Sequence, residues 1–181
     1  SLSCLNSNIE VKEYSTTFTI TSPIPVSGYD LSWSSCCRTN SIVNILNPGG
    51  AGFEITTRIF PGFKNSARFL SPSNASGVSG QSQYFNQSAF DPDPQDSVYM
   101  SLAMPKQSPG VIQHDSAFSA SQPFGLSVPT SLNPNTGILQ VGSVSPGVYV
   151  VAFRVQSYAN GVLTSVVRRD VPFYFDLSGS I

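Results

Sequence analysis

Alternating apolar and polar positions recur along the chain, whereas the three-to-four-residue apolar spacing of amphipathic helices is almost absent. Two segments show this period-2 pattern clearly. In "EYSTTFTITS" one face would carry Tyr14, Thr16, Phe18 and Ile20. In "GFEITTRIF" the apolar face would carry Phe53, Ile55, Thr57 and Ile59, and the polar face Glu54, Thr56 and Arg58. Both segments are predicted to be half-buried β-strands.

The segment 147–175 predicts a long β-hairpin. Its first half alternates, with Tyr149, Val151, Phe153 and Val155 facing inward. Asn160-Gly161 follows and accepts the positive φ angles that tight hairpin turns need, and a second strand begins at Val162. Pro172 cannot donate to a ladder, so we do not expect that end of the return strand to be central in a sheet.

Short strands separated by Pro- and Gly-rich turns are typical of antiparallel sandwiches. A polar stretch at 71–83, "SPSNASGVSGQSQ", divides the chain near its middle. It could be a linker between two sandwiches or a long loop within one. We favour an all-β fold of two small antiparallel sandwich domains in tandem, at 1–80 and 81–181.

Composition narrows the classes of partner. The chain has nine basic and ten acidic residues in 181, and its three lysines are scattered. Arg168-Arg169, the one basic doublet, would point to opposite faces of a strand. Nucleic acid and anionic membranes need clustered cations, so neither is expected as a partner. No apolar run reaches the ~18 residues that a membrane span requires. Few lysines, many Ser, Thr and Asn, and disulfide-compatible cysteines favour a secreted or cell-surface protein.

Catalytic chemistry finds little support in the residues. His114 is the only histidine, and a catalytic triad could be assembled on paper from it, Asp115 and a serine. Adjacent His and Asp side chains tend to diverge, and the G-x-S-x-G nucleophile pattern is missing. A structural zinc site would need a C-x₂-C pair or a second histidine. We therefore predict that the protein is not an enzyme.

The acidic segment "FDPDPQDSVY" is the best candidate metal site. Asp91, Asp93 and Asp96 fall within six positions, and the intervening prolines hold the segment extended. Calcium takes six to eight oxygen ligands, and a carboxylate-rich loop with backbone carbonyls supplies them. Asn86 and Gln87 could add amide oxygens, and Asp170 or Asp176 could add distant carboxylates. The alternative interpretation is a solvated Asp/Pro turn that leads into the strand "SVYMSLAM".

Three cysteines raise the question of disulfide pairing. Cys36 and Cys37 are adjacent, and on a strand Cys37 would share the face of Trp33 while Cys36 points away. Adjacent cysteines rarely bond to each other, and no C-x-x-C redox motif is present. We therefore expect one disulfide, from Cys4 to either Cys36 or Cys37, with the other cysteine free.

Several segments together resemble a known family. "WSSCCRTNSIVNILNPGGAGFEI", "FDPDPQDSVYMSL", "LNPNTGILQV" and the hairpin segment are similar, in this order, to a module of adhesin-like, gliding-motility-associated surface proteins that bacteria export by the type IX system. The resemblance covers roughly residues 14–176. The second half also resembles cadherin-like, Ig-like repeats, whose Pro-x-Thr-Gly-x-Leu turn stands here as Pro134–Leu139. In the acidic loop, Pro94-Gln95 replaces the family's single Gly.

This resemblance implies tandem Ig-like or cadherin-like sandwiches that serve in adhesion or as spacers outside the cell. It also implies O-glycosylation at Ser97 and Ser116, because Asp-Ser-apolar triplets are acceptors in such bacteria. The leading hypothesis is a non-enzymatic subunit or module of a surface fibre or large adhesin. Self-association through an unpaired edge strand would complete such a fibre, with the terminal segments 1–14 and 173–181 as candidates.

The alternative hypothesis is a carbohydrate-binding module of a secreted surface protein. Sandwich domains often bind glycans through exposed aromatic rings and loop amides. The candidate platform comprises Tyr84, Phe85, Phe118, Phe124 and Tyr158.

Overall fold

Residues 15–177 of the protein are described by a computed structural model. The strands are β1 (Tyr29–Ser35), β2 (Phe53–Ile59), β3 (Arg68–Phe69), β4 (Ala75–Val78), β5 (Gln83–Asn86), β6 (Ala89–Phe90), β7 (Asp96–Ala103), β8 (Thr130–Leu132), β9 (Ile138–Val141), β10 (Gly147–Ala159) and β11 (Val162–Asp176). A short 3-10 helix spans Pro48–Gly50.

The predicted hairpin is confirmed as the pair β10–β11. Asn160 and Gly161 join the two strands with φ angles of 49° and 80°. Two successive positive φ values suit the right-handed twist of the flanking strands, which is why Asn-Gly is favoured here.

The hairpin lies in the centre of the largest sheet, called here the large sheet. Strand order is β1-β2-β11-β10-β7, and β4 runs parallel to the end of β11. Smaller sheets are formed by β5-β9-β8 and by the pair β3-β6. The predicted all-β, mainly antiparallel sandwich is therefore confirmed.

The main core lies between the large sheet and the smaller ones. From the hairpin, Phe153, Phe173 and Phe175 are at most 1 % exposed. They pack with Leu139 and Val141 of β9 in one apolar cluster. Burying such large apolar side chains contributes about 1.5–3 kcal/mol each, so this cluster adds substantially to the stability of the sandwich.

The structure does not divide the chain into two sandwiches at residue 80. β2 pairs with β11, so strands from both sides of that position lie in one sheet. The Gly/Ser-rich stretch is not a free linker either, because it contains β4, which pairs with β11 from Phe173 to Asp176. Composition indicated the linker, but a polar segment can also pair its backbone at a sheet edge.

Two strand predictions need correction. The described part of "EYSTTFTITS", residues 15–22, forms no strand. β2 forms as predicted, but its faces are partly reversed: Glu54 and Thr56 are buried, whereas Ile55 is 37 % exposed. The reason is that two segments lie over the polar face: the one after β1, which contains Arg38, and the one after β7, which contains Lys106.

Pro172 lies in a sheet position that needs no donor. It is opposite Val150 in β10, whose own N–H and C=O are directed to the side chain of Asn44. On the other side of β11, pairing with β2 ends at Arg168 and pairing with β4 begins at Phe173. The missing N–H of Pro172 therefore falls in a gap between two neighbouring strands, which is why proline is tolerated in this strand.

Candidate functional site

The structure brings together the three predicted carboxylates of the acidic loop. One oxygen from each of Asp91, Asp93 and Asp96 lies within 4.8 Å of the others. Two hydrogen bonds from backbone N–H groups tighten the loop. The Asp93 N–H donates to Asp91 Oδ1 at 3.0 Å, and the Asp96 N–H donates to the Asp93 carbonyl at 3.0 Å. The cluster lies at the point where the loop enters β7.

A neighbouring residue holds Asp93 in place. The Asn65 backbone N–H and side-chain amide donate to its two oxygens at 3.0 and 2.9 Å. Asp91 Oδ2, by contrast, is buried and accepts no hydrogen bond from the described residues. The pKa of Asp96 is raised by desolvation and by the negative charges of Asp91 and Asp93. Crowded carboxylates with an unsatisfied oxygen suit a cation.

The other oxygen ligands considered from sequence lie elsewhere. Asp170 is buried in an ion pair with Arg38. Asp176 is exposed at the end of β11. The Asn86 side chain accepts the Ser88 N–H, and that of Gln87 accepts from Arg169 at 2.9 Å. Within residues 15–177, the acidic loop alone supplies the carboxylates of this cluster.

The structure joins Cys36 to Cys37, whereas the predicted disulfide linked Cys4 to one of them. β1 ends at Ser35, so both cysteines follow the strand and its alternation does not apply to them. Trp33, which would face the core if Cys37 did, is 47 % exposed and packs edge-on against Phe53. Cys4 lies outside the described residues. Peptide mapping without reductant would separate the two pairings.

Next to this doublet, Arg38 forms a buried ion pair with Asp170 of β11. The guanidinium also donates to the carbonyls of Gly52 at 2.8 Å and Lys106 at 3.1 Å. Desolvation raises the pKa of Asp170 to about 6, against the opposing effect of Arg38. Arg38, which directly follows the two cysteines, thus ties its loop to the large sheet.

His114 and Asp115 do not form a catalytic pair. His114 Nδ1 donates to the Asn44 carbonyl at 2.8 Å, and its buried Nε2 has no partner in the described chain. Burial lowers the pKa of this imidazole. Asp115 instead accepts from the Ser116 hydroxyl and the Ala117 N–H.

The aromatic residues of the carbohydrate hypothesis are not gathered on one surface. Phe124 is 3 % exposed, Phe85 packs against Phe173 at 5.1 Å, and Phe118 packs against Tyr149 at 6.1 Å. The Tyr158 hydroxyl accepts from Gln156. Tyr84, at 68 % exposure, is the member that presents a large open ring.

Both predicted glycosylation positions are exposed. Ser97 lies in β7 next to the acidic loop, and Ser116 lies in the loop after His114. A modifying enzyme would find both hydroxyl groups at the surface, and the modification itself stays a prediction.

Sequence reasoning missed a cluster of cations on the polar face of the large sheet. A cleft of about 450 Å³ there is lined by Arg58, Lys106, Arg154 and Arg168, together with Asp30. These cations come from β2, β10, β11 and the segment after β7, and four of the nine basic residues of the chain therefore meet in one place. The hairpin register alone would have placed Arg154 opposite Arg168.

Comparisons with protein families, curated proteins and solved structures find no match to this chain. Among the described residues, no helix has the length and apolar character needed to cross a membrane.

Proposed function

We propose that the chain is a non-enzymatic structural or adhesive module of an extracellular surface protein, and that it associates with a second copy of itself through β1. The observation that carries this proposal is the apolar surface beside this edge strand, called here the β1 patch: Phe18, Trp33 and Ile55 are 54 %, 47 % and 37 % exposed. The location outside the cell rests on the sparse lysines and on the resemblance to exported surface proteins.

An edge strand with apolar side chains next to it is suited to association. Among residues 15–177, β1 pairs with β2 on one side and is the last strand of the sheet on the other, so a row of its backbone groups can pair with another chain. β1 itself carries one charged residue, Asp30, and few charges oppose such pairing. Clustered exposed apolar side chains mark interaction sites on soluble proteins.

The terminal segments contribute differently to this picture. Residues 1–14 lie outside the described part. Of the C-terminal candidate, Phe173–Asp176 already pairs with β10 and β4 in its own sheet, and Phe173 and Phe175 are buried. This part would have to leave the core to complete a neighbour, so pairing at β1 is the more favourable route.

Sedimentation over a range of concentrations tests the association. We expect reversible assembly, and Trp33→Ser should weaken it by about 2 kcal/mol, roughly thirtyfold in the dissociation constant, as removal of a central interface aromatic does. Tyr84→Ser is the matched control, since it removes an exposed aromatic side chain from β5. A protein that stays monomeric throughout, or equal effects of both substitutions, would contradict the proposal.

We further propose that Ca²⁺ binds at Asp91, Asp93 and Asp96 and fixes the loop at the start of β7. The proximity of the three carboxylates and the unsatisfied Asp91 Oδ2 support this proposal. A divalent cation would offset the repulsion between like charges and give the buried oxygen a ligand bond.

Thermal unfolding with and without Ca²⁺ tests the metal site. Binding to the folded state alone should raise the free energy of unfolding by about 2.7 kcal/mol at roughly 100 times Kd. Asp91→Asn should remove most of this gain, whereas Asp115→Asn, which changes one carboxylate outside the cluster, should retain it. An undiminished calcium response in Asp91→Asn, or no saturable response in the unsubstituted protein, would rule the site out.

A further inference from the structure

On the polar face of the large sheet, Asp30, Glu54 and Asp170 each face a cation of the described chain. Arg58 donates two hydrogen bonds to Asp30, from Nε to Oδ1 at 2.6 Å and from Nη2 to Oδ2. Lys106 Nζ lies 3.6 Å from Glu54, and Arg38 is paired with Asp170.

Two arginines on the same face remain without such a partner. Arg154 of β10 and Arg168 of β11 are directly opposite each other in the ladder. Like charges at opposite positions of neighbouring strands destabilise a sheet. Within residues 15–177, neither forms an ion pair, and the hydrogen bond of Arg168 to the Met104 carbonyl is 3.3 Å long. The cleft between them therefore has an excess of positive charge.

Arg168 shows the effect of this arrangement. Its Nε is buried and donates to no group in the described chain. Its pKa is lowered by desolvation and then by the charge of Arg154, against the opposing effects of Asp170 and Glu54. A half-buried guanidinium with an unused donor offers hydrogen bonds that an oxyanion can accept.

Apolar side chains in the walls of the cleft can contact the organic part of a ligand that carries such an oxyanion. Phe60, Leu163 and Val166 line it beside the two arginines. Its volume of about 450 Å³ lies within the range of roughly 300–1,000 Å³ that is usual for small-molecule sites. Guanidinium groups match the planar fork of a carboxylate and are weakly hydrated, so they suit a partly enclosed site.

We propose that this cleft binds a small carboxylate-bearing organic ligand, whose carboxylate bridges Arg154 and Arg168 while its body contacts Phe60, Leu163 and Val166. A free organic acid and a uronic-acid unit of an acidic glycan present the same chemistry. This site shares no residue with the acidic loop or with the β1 patch, although Asp30 of β1 lines the cleft. The proposal does not depend on the functions proposed for those two regions.

Amide chemical-shift titration of the ¹⁵N-labelled protein tests the site with four probes: glucuronate, glucose, cyclohexanecarboxylate and sulfate. Glucuronate and glucose differ at one position, a carboxylate against a hydroxymethyl group. We expect saturable shifts in β10 and β11 with glucuronate and none with glucose. Equal binding of cyclohexanecarboxylate assigns the site to organic acids in general, and preference for glucuronate assigns it to uronic acids. Sulfate binding as strong as that of either carboxylate would overturn the proposal.

Matched substitutions connect the binding to the arginine pair. Arg154→Gln should weaken glucuronate binding at least about tenfold, the loss of one charge-assisted bidentate contact. Arg154→Lys keeps the positive charge but loses the planar guanidinium. Its affinity for glucuronate should therefore lie between those of the unsubstituted protein and Arg154→Gln. Arg68→Gln removes an exposed arginine of β3 and should leave binding unchanged. The side chain of Arg154 makes no hydrogen bond in the described chain, so Arg154→Gln should fold and, without ligand, have a higher melting temperature. Equal affinities for all these variants would overturn the proposal.

Discussion

The side chain of Asn44 takes the place of a neighbouring strand for Val150. Its Oδ1 accepts the Val150 N–H at 2.9 Å, and its Nδ2 donates to the Val150 carbonyl at 2.8 Å. The same Nδ2 donates to the Pro123 carbonyl at 2.8 Å. β7 pairs with β10 only from Ala152 onward, so Asn44 satisfies the buried backbone of β10 just outside that pairing.

Asn44→Ala should lower the free energy of unfolding by about 3 kcal/mol. It would leave three buried backbone groups without partners, and each unsatisfied group costs about 1–3 kcal/mol unless water replaces the amide. Chemical denaturation measures the loss. Asn135→Ala removes an exposed amide and should change stability by less than about 0.5 kcal/mol. Similar losses in both variants would show that Asn44 is not a structural link.

The two Arg–Asp pairs of the large sheet should differ strongly in energy. Arg38→Gln leaves Asp170 buried without a cation and should cost about 3–5 kcal/mol. Arg58→Gln breaks a pair whose side chains are 49 % and 46 % exposed, and should cost about 0–1 kcal/mol. Urea unfolding measures the free energy of unfolding of both variants. Equal losses in the two would contradict the expected difference between the pairs.

His114 should make stability depend on pH. Burial lowers its pKa in the folded protein, so the folded state binds a proton less tightly than the unfolded chain, where the pKa is near 6.5. The free energy of unfolding should therefore fall as the pH drops below about 6.5. His114→Asn keeps a donor for the Asn44 carbonyl but does not titrate, and its stability should fall less.

Denaturation of both proteins between about pH 7.5 and pH 5 measures this difference around the unperturbed histidine pKa. Asp170, with its raised pKa of about 6, acts in the opposite direction, because the folded state binds its proton more tightly. It is present in both proteins and cancels in the comparison. Parallel curves would exclude the contribution of His114.

Two glycines with positive φ should respond differently to alanine. Gly161 has φ +80° and open space around an added Cβ, so Gly161→Ala should cost about 1 kcal/mol from the backbone alone. At Gly137, with φ +71°, the Cβ would lie 2.6 Å from Ser88 Cα, and Gly137→Ala should cost clearly more. Melting temperatures of the two variants test the order, and the reverse order would contradict the geometry.

The correct predictions share a physical basis: they depend on residues close together in the chain. Turn chemistry at Asn160-Gly161 and alternation on both sides suffice for the hairpin. Asp91, Asp93 and Asp96 lie within one turn of a proline-stiffened loop, so their proximity follows from their spacing.

Long-range pairing set the features that the patterns did not indicate. Which face of β2 is buried depends on the loop that Arg38 anchors to Asp170, a residue far along the chain. The tandem domains were predicted from a polar stretch whose backbone instead pairs with β11. The cationic cleft requires β2, β10 and β11 to lie side by side. Local propensity specifies strands and turns, whereas partners and covered faces follow from the burial available in the assembled sandwich.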